Sequence, residues 1–226
     1  MTTASRPTIA VLGGAGQEGR GLAARWARAG YPIIIGSRDP VRGESAAAEL
    51  AALTKGSVSA ASNAEAAEQG QIVVLTVPYR AQQALALEVA PYLSGKVVID
   101  VTVPLVPPKV ARVQLPEGGS AVDALQKALG DDVRVVAAFQ NVSAHQLLEL
   151  DHEVDCDVLV FGDDDAARQT VCELAEAIGL VAYHAGPLAN AAAAEALTSV
   201  LIWMNKRYKS PLGAGIRISG LPAQGV

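Results

Sequence analysis

The chain has 226 residues, of which 50% are hydrophobic, 18% charged and 4% aromatic, and its formal net charge is −5. This supplies a full core for one large domain, or one plus a small one, built from Ala, Val, Leu and Ile. The acidic balance without a basic run argues against a nucleic-acid partner, no apolar run reaches the ~18–20 residues of a membrane span, and the opening MTTASRPT lacks the apolar stretch of a secretory signal, so a cytoplasmic protein is expected.

Residues 9–38 read IAVLGGAGQEGRGLAARWARAGYPIIIGSR: a strand, a glycine turn, a helix and a second strand. Gly14, Gly16 and Gly19 fit G-x-G-x-x-G. The first glycine allows a tight turn, the second lets backbone approach a pyrophosphate, and the third lets the helix pack on the strand. The helix that follows points unpaired N–H groups and its positive dipole end at the phosphates. After the second strand, NAD-binding chains place an acidic residue that holds the ribose 2′-OH. Here Gly36, Ser37 and Arg38 stand there, with Arg42 one helical turn on. Guanidinium clamps a 2′-phosphate and a hydroxyl donates to it, so NADP(H) is predicted.

A helix follows from Pro40 to about Thr54, with proline at its favoured first turn. A short strand is predicted at Ser57 to Ala61, then a helix to Gln69 capped by Ser62. The apolar run Ile72 to Val77 reads as a buried parallel strand ended by Pro78. A helix over Arg80 to Leu93 and a strand over Lys96 to Val101 come next. Residues 102–119 have no period and carry Pro104, Pro107, Pro108 and Pro116. So long a loop, leaving the carboxyl end of a strand, is expected to wall a substrate site. A helix over Ser120 to Leu129 and a strand over Val133 to Ala138 complete the first part.

The pattern then changes. FQNVSAHQL, Phe139 to Leu147, reads as irregular. A strand (Asp157 to Phe161), a helix (Ala166 to Ile178), a strand (Val181 to His184) and a long helix (Leu188 to about Tyr208) follow. The fold class predicted is α/β: a Rossmann doubly wound parallel sheet over residues 8–138. A small C-terminal α/β domain over residues 139–226 packs on it and walls a cleft.

No catalytic set and no metal set is identified. His145 reads as a hydrogen-bonded loop residue, and His152 and His184 as solvated or capping. Asp163 to Asp165 read as caps for the next helix. Cys156 and Cys172 read as small core residues. A carbonyl or imine reductase needs a positioned proton donor. Hydride transfer between two cofactors needs mainly alignment at about 3–3.5 Å in a dry cleft.

The segments VLGGAGQEGRGLAARWARAG, IIGSRD, VVLTVPY, AGPLANA and LGAGIRI, spread from Ile9 to Ile218, resemble the NADPH-dependent reductases of the deazaflavin coenzyme F420. The resemblance implies a homodimer that transfers hydride between NADP(H) and coenzyme F420. It implies that Gly14, Ala15, Gly16, Gln17 and Gly19 hold the pyrophosphate, and that Ser37, Arg38 and Arg42 hold the 2′-phosphate. Thr76, Val77 and Pro78 then border the path to the nicotinamide. Phe139 to Ser143, with Gln140 and Val142, and the Val101 to Val106 loop face the deazaflavin. Arg207 and Arg217 either hold the coenzyme's phosphate and acidic tail or cap and solvate the last helix. From the residues alone two other readings stay open: an NADPH reductase of a flavin, ferric chelate or small imine, and an NADPH-binding protein without turnover.

Overall fold

The computed structural model describes residues 6–221; residues 1–5, which hold most of the polar N-terminal tail, and 222–226 lie outside it. The elements run β1 (Ile9–Leu12), α1 (Gln17–Arg28), β2 (Ile33–Gly36), α2 (Pro40–Thr54), β3 (Val58–Ala61), α3 (Asn63–Gln69), β4 (Ile72–Leu75), α4 (Tyr79–Val89) and β5 (Val97–Asp100). They continue with α5 (Ala121–Leu129), β6 (Arg134–Ala137), α6 (Ala144–Leu148), β7 (Val158–Gly162), α7 (Asp165–Glu176), β8 (Ala182–His184) and α8 (Ala191–Tyr208).

The strands form one sheet in the order β3-β2-β1-β4-β5-β6-β7-β8. The first six are parallel, in the order of a dinucleotide-binding sheet whose crevice opens beyond the carboxyl ends of β1 and β4. β7 then runs antiparallel to β6, through Val136 opposite Gly162 and Ala137 opposite Phe161, and β8 is parallel to β7. The sheet is therefore mixed, and the elements after residue 138 extend its edge.

IAVL, IIIG, IVVL and VVID are buried at every position, because helices cover both faces. Successive strand residues point to opposite faces. Ile9 and Val11 pack with Trp26 of α1, Leu50 of α2, Leu147 of α6 and Val171 of α7. Ala10 and Leu12 pack with Leu85 of α4, Val122 of α5 and Ala194 of α8. Polar side chains fasten the later elements to the earlier ones. The Trp26 indole donates to Leu174 O at 2.9 Å. The buried Glu195 carboxylate of α8 caps α5, accepting from Ser120 Oγ at 2.7 Å and from the backbone N–H groups of Ala121 and Val122.

Three local expectations change. The strand predicted to Val77 ends at Leu75. The helix predicted to Leu93 ends at Val89 and tightens into a 3₁₀ turn, Ala90–Tyr92, because Pro91 has no N–H to continue the ladder. Phe139 to Leu147 is not wholly irregular: it carries the start of α6. A five-residue helix does not stand alone; this one is held by tertiary bonds. The buried Arg25 guanidinium of α1 donates to the carbonyls of Gln146, Leu147, Glu149 and His152, at 2.8–3.0 Å.

Candidate active site: two adjoining cavities

The turn after β1 is built by its glycines. Gly13 takes φ +80°, a region that costs a side chain strain, and its N–H bonds Gly36 O at 3.0 Å. Gly14 N–H turns back to Val11 O at 3.2 Å. A Cβ on Gly19 would lie 2.5 Å from Thr76 Oγ1 and 2.7 Å from Gly14 Cα. Gly16 is the N-cap of α1 and offers no side-chain bond to the helix, which leaves its first N–H groups for a ligand. Gly19→Ala is therefore expected to lower stability by about 2 kcal/mol and to weaken NADPH binding, read by thermal melting and calorimetry. An unchanged melt with unchanged affinity would contradict this account of the turn.

A cavity of about 580 Å³ opens over this turn. Ala15, Gly16, Ser37, Arg38, Arg42, Thr76, Val77 and Pro78 all line it. Gly14 and Gly19 lie beneath and shape the turn. Arg42 leans across the mouth, an Nη donating to Ala15 O at 3.3 Å. The Ser37 hydroxyl is engaged locally, donating to Asp39 O at 2.9 Å. Asp39, the nearest carboxylate to Arg38 in sequence, caps α2 by accepting from Arg42 N–H, so its charge is taken up by the helix end. Sequence reasoning missed Gly13, Asn63 and Arg80 in this wall. Asn63 Oδ1 is buried without a partner. Gly13 was legible as the first residue past the strand; Asn63 and Arg80, at the starts of α3 and α4, carried no motif.

A second cavity, of about 620 Å³, lies beside the first. The two share Gly16, Thr76, Val77 and Pro78. Gln17, Gln140 and Val142 line the second, as do Val101 to Val103 and Leu105 of the long loop, Leu201 and Asn205 of α8, and Glu18 of α1. At the end of β6 Phe139 adopts φ +72° and sets its ring edge-on to Trp26, centroids 5.9 Å apart. Strained backbone of this kind persists where the surroundings over-determine it.

Asp100, fully buried at the end of β5, organises the floor. Its carboxylate accepts from Thr102 N at 2.8 Å and from Gln82 Nε2; its carbonyl accepts from Gln140 Nε2 at 2.8 Å. Burial pushes its pKa up to about 6, against the hydrogen bonds from Thr102 and Gln82. These bonds fix Gln140 with its amide oxygen free. Three buried polar atoms on residues lining this cavity lack partners: Gln140 Oε1, Thr102 Oγ1 and Glu18 Oε1. Such atoms are costly unless a ligand or water completes them.

Other singled-out residues lie elsewhere. Arg207 is exposed and lines neither cavity. Arg217 pairs with Asp155 and Asp157 at 3.4 and 3.2 Å. His145 is exposed on α6, and His184 meets Gln169 Oε1 at 3.1 Å. Asp164 caps α7 and Asp163 accepts from Leu188 N. Cys156 and Cys172 are buried and free. Tyr92 and Lys96 have the spacing of a tyrosine–lysine catalytic pair, but Lys96 donates to Ala67 O and Glu68 O before β5, away from both cavities. Among the described residues no three His, Cys, Asp or Glu side chains gather as a metal site, and no helix is long and apolar enough to cross a membrane.

Residues 8–104 match the family model described as NADP oxidoreductase coenzyme F420-dependent. The chain is 42% identical to the F420-dependent NADP reductase of Methanothermobacter thermautotrophicus, over 96% of each chain. It belongs to the F420-dependent NADP reductase family. The F420-dependent NADP reductase of Methanocaldococcus jannaschii is 39% identical, over 94% of this chain and 98% of that protein. A crystal structure of a putative F420-dependent NADP reductase from Arthrobacter sp. FB24 superposes with a TM-score of 0.75 at 25% identity, over 90% of this chain and 96% of that one. As a member of the F420-dependent NADP reductases the protein is an oxidoreductase that moves hydride between NADP(H) and coenzyme F420. Its residues fit two such ligands: a glycine cradle that a Cβ would obstruct, an uncapped helix start, and orphaned polar atoms in the adjoining cavity.

Proposed function

We propose that the first cavity holds NADP(H) and the second holds the deazaflavin ring, the two meeting at the wall formed by Gly16, Thr76, Val77 and Pro78. That shared wall carries the reading. Ala15, Gly16, Gln17 and the first turn of α1, packed through Gly14 and Gly19, hold the pyrophosphate. Arg38 and Arg42 hold the 2′-phosphate, with Ser37 beside them; Arg80 adds a third guanidinium to the same wall. Gln140, Val142 and the Val101–Leu105 loop take the ring.

When bound, the nicotinamide supplies hydride at C4 and the deazaflavin accepts it at C5. In the hydride step itself the protein's part is positioning and exclusion of water. Val77, Pro78, Val101, Val103, Leu105 and Val142 give the meeting place apolar walls, and alignment supplies much of the rate. The functional division is then residues 8–138 for NADP(H) and residues 139–226, with the long loop, for the deazaflavin. Leu105→Trp is expected to lower kcat/KM for the deazaflavin about tenfold or more by filling the second cavity, while the Kd for NADPH moves less than about twofold. Equal weakening of both would contradict the division.

The same reading includes a cytoplasmic homodimer. Val200, Trp203, Met204 and Tyr208 form an exposed stripe along one face of α8, and such stripes mark interaction surfaces. Arg207 stands on that exposed face, away from Thr198, Leu201 and Asn205, which line the second cavity, so of its two expected roles solvation of the last helix is the one its position supports. The two buried free cysteines are in keeping with a reducing compartment.

A further inference from the structure

We propose that Glu18 supplies the proton that accompanies hydride transfer to the deazaflavin, and takes it back in the reverse direction. This rests on the placement of the deazaflavin in the second cavity. Glu18 is the second residue of α1, and it lines that cavity but not the first. Its Oε1 is buried and has no hydrogen-bond partner. Tyr79 is the only other ionisable side chain among the lining residues, and the lining carries no Arg, Lys or His.

The surrounding charges are turned elsewhere. Arg20 of α1 pairs with Glu49 of α2 at 2.5 Å. Arg25 is taken by the carbonyls around α6. His145 of α6 is exposed outside the cavity, and Asp100 of β5 is bonded to Thr102 and Gln82. Among the described residues no counter-ion pairs with Glu18 in its charged form, and burial moves its carboxyl from 4.5 to about 8. A pyrophosphate at the same helix start adds like charge and favours the acid further. A neutral carboxylic acid in a cleft at neutral pH is poised as a general acid.

The reaction needs one. Hydride carries two electrons and one proton from nicotinamide C4 to deazaflavin C5, and the electron pair it displaces in the ring requires one more proton at N1. The Glu18 O–H bond breaks, N1 takes the proton, and the carboxylate recovers a proton from solvent once products leave. In the other direction the Glu18 carboxylate receives the N1 proton. The two other orphaned atoms, Gln140 Oε1 and Thr102 Oγ1, are free for the same polar edge: the amide oxygen would accept from a ring N–H and the hydroxyl would donate to a ring carbonyl.

Glu18→Gln keeps the shape and removes the titration. In the unliganded protein the infrared C=O stretch of a protonated carboxylic acid is expected at neutral pH, titrating with a midpoint near 8; in E18Q it is missing. The unfolded chain releases this proton near 4.5 and the folded chain near 8. Glu18 therefore makes stability fall as pH rises between those values, and E18Q loses that part of the decline. With saturating NADPH, wild-type deazaflavin reduction is expected to fall above about pH 8. E18Q should be slower by about a hundredfold and lack that limb, with its Kd for NADPH within about threefold. An active E18Q with the wild-type pH profile, or a wild type without the carboxyl band, overturns the role of Glu18 alone. A wild type that binds NADPH and never reduces the deazaflavin overturns the placement of the ring as well.

Discussion

Arg38→Glu is expected to raise the Kd for NADPH about a hundredfold, ~3 kcal/mol, and to leave NADH binding within a few-fold. Arg38 lines the first cavity beside Ser37 and Arg42, at the end of β2 where a 2′-phosphate would lie. The change removes a charge-assisted pair and sets a carboxylate against a dianion. NADH has no 2′-phosphate, so only NADPH suffers. Asp39 beside Arg38 already accepts from Arg42 N–H as the cap of α2, and wild type and variant share it, so the difference between them reads position 38. Calorimetric titration with both nucleotides reads it; an unchanged preference for NADPH would show that the 2′-phosphate sits elsewhere.

Arg25→Met is expected to cost about 3–5 kcal/mol of stability. Methionine replaces the aliphatic stem of Arg25 but none of its donors. The carbonyls of Gln146, Leu147, Glu149 and His152 then lose their partner, in a region where Leu147 is fully buried. Since α6 is held from α1 by these bonds, the wall that follows Phe139 loosens with it. Chemical denaturation reads the loss, and deazaflavin turnover should fall more than NADPH binding. A variant as stable as wild type would mean that water satisfies these carbonyls as well as the guanidinium does.

The first half of the fold was legible because each signal there is local. The G-x-G-x-x-G turn, the four-residue apolar strands and the Ser-Arg pair after β2 each impose structure within a few residues. Ser62, a cap by its residue type, forms a full capping box with Glu65. Residues that act across the sheet were not legible. Arg25 looks like an ordinary charge near the end of an amphipathic helix, yet it holds a segment 121–127 positions away. Asp100 looks like the polar end of a strand, yet it fixes Thr102 and Gln140 in the second cavity. The antiparallel turn-back from β6 to β7 has no sequence mark, because a buried strand reads alike in either direction. Glu18 occupies one of the variable positions of the glycine motif, which carry no signal of their own. Only the packing around it removes it from water, and burial is a property of the whole fold.

The most direct test of the two adjoining cavities is to follow the hydride itself. NADPH carrying deuterium at C4, in either stereochemical position, is mixed in ordinary water with the protein and oxidised coenzyme F420, and the reduced coenzyme is analysed for label at C5. Transfer between ligands that meet at Thr76, Val77 and Pro78 predicts that one of the two labelled forms delivers its deuterium to C5 without dilution by solvent. Reduction with the label lost to water from both forms, or no reduction at all, would contradict a direct passage from one cavity to the other.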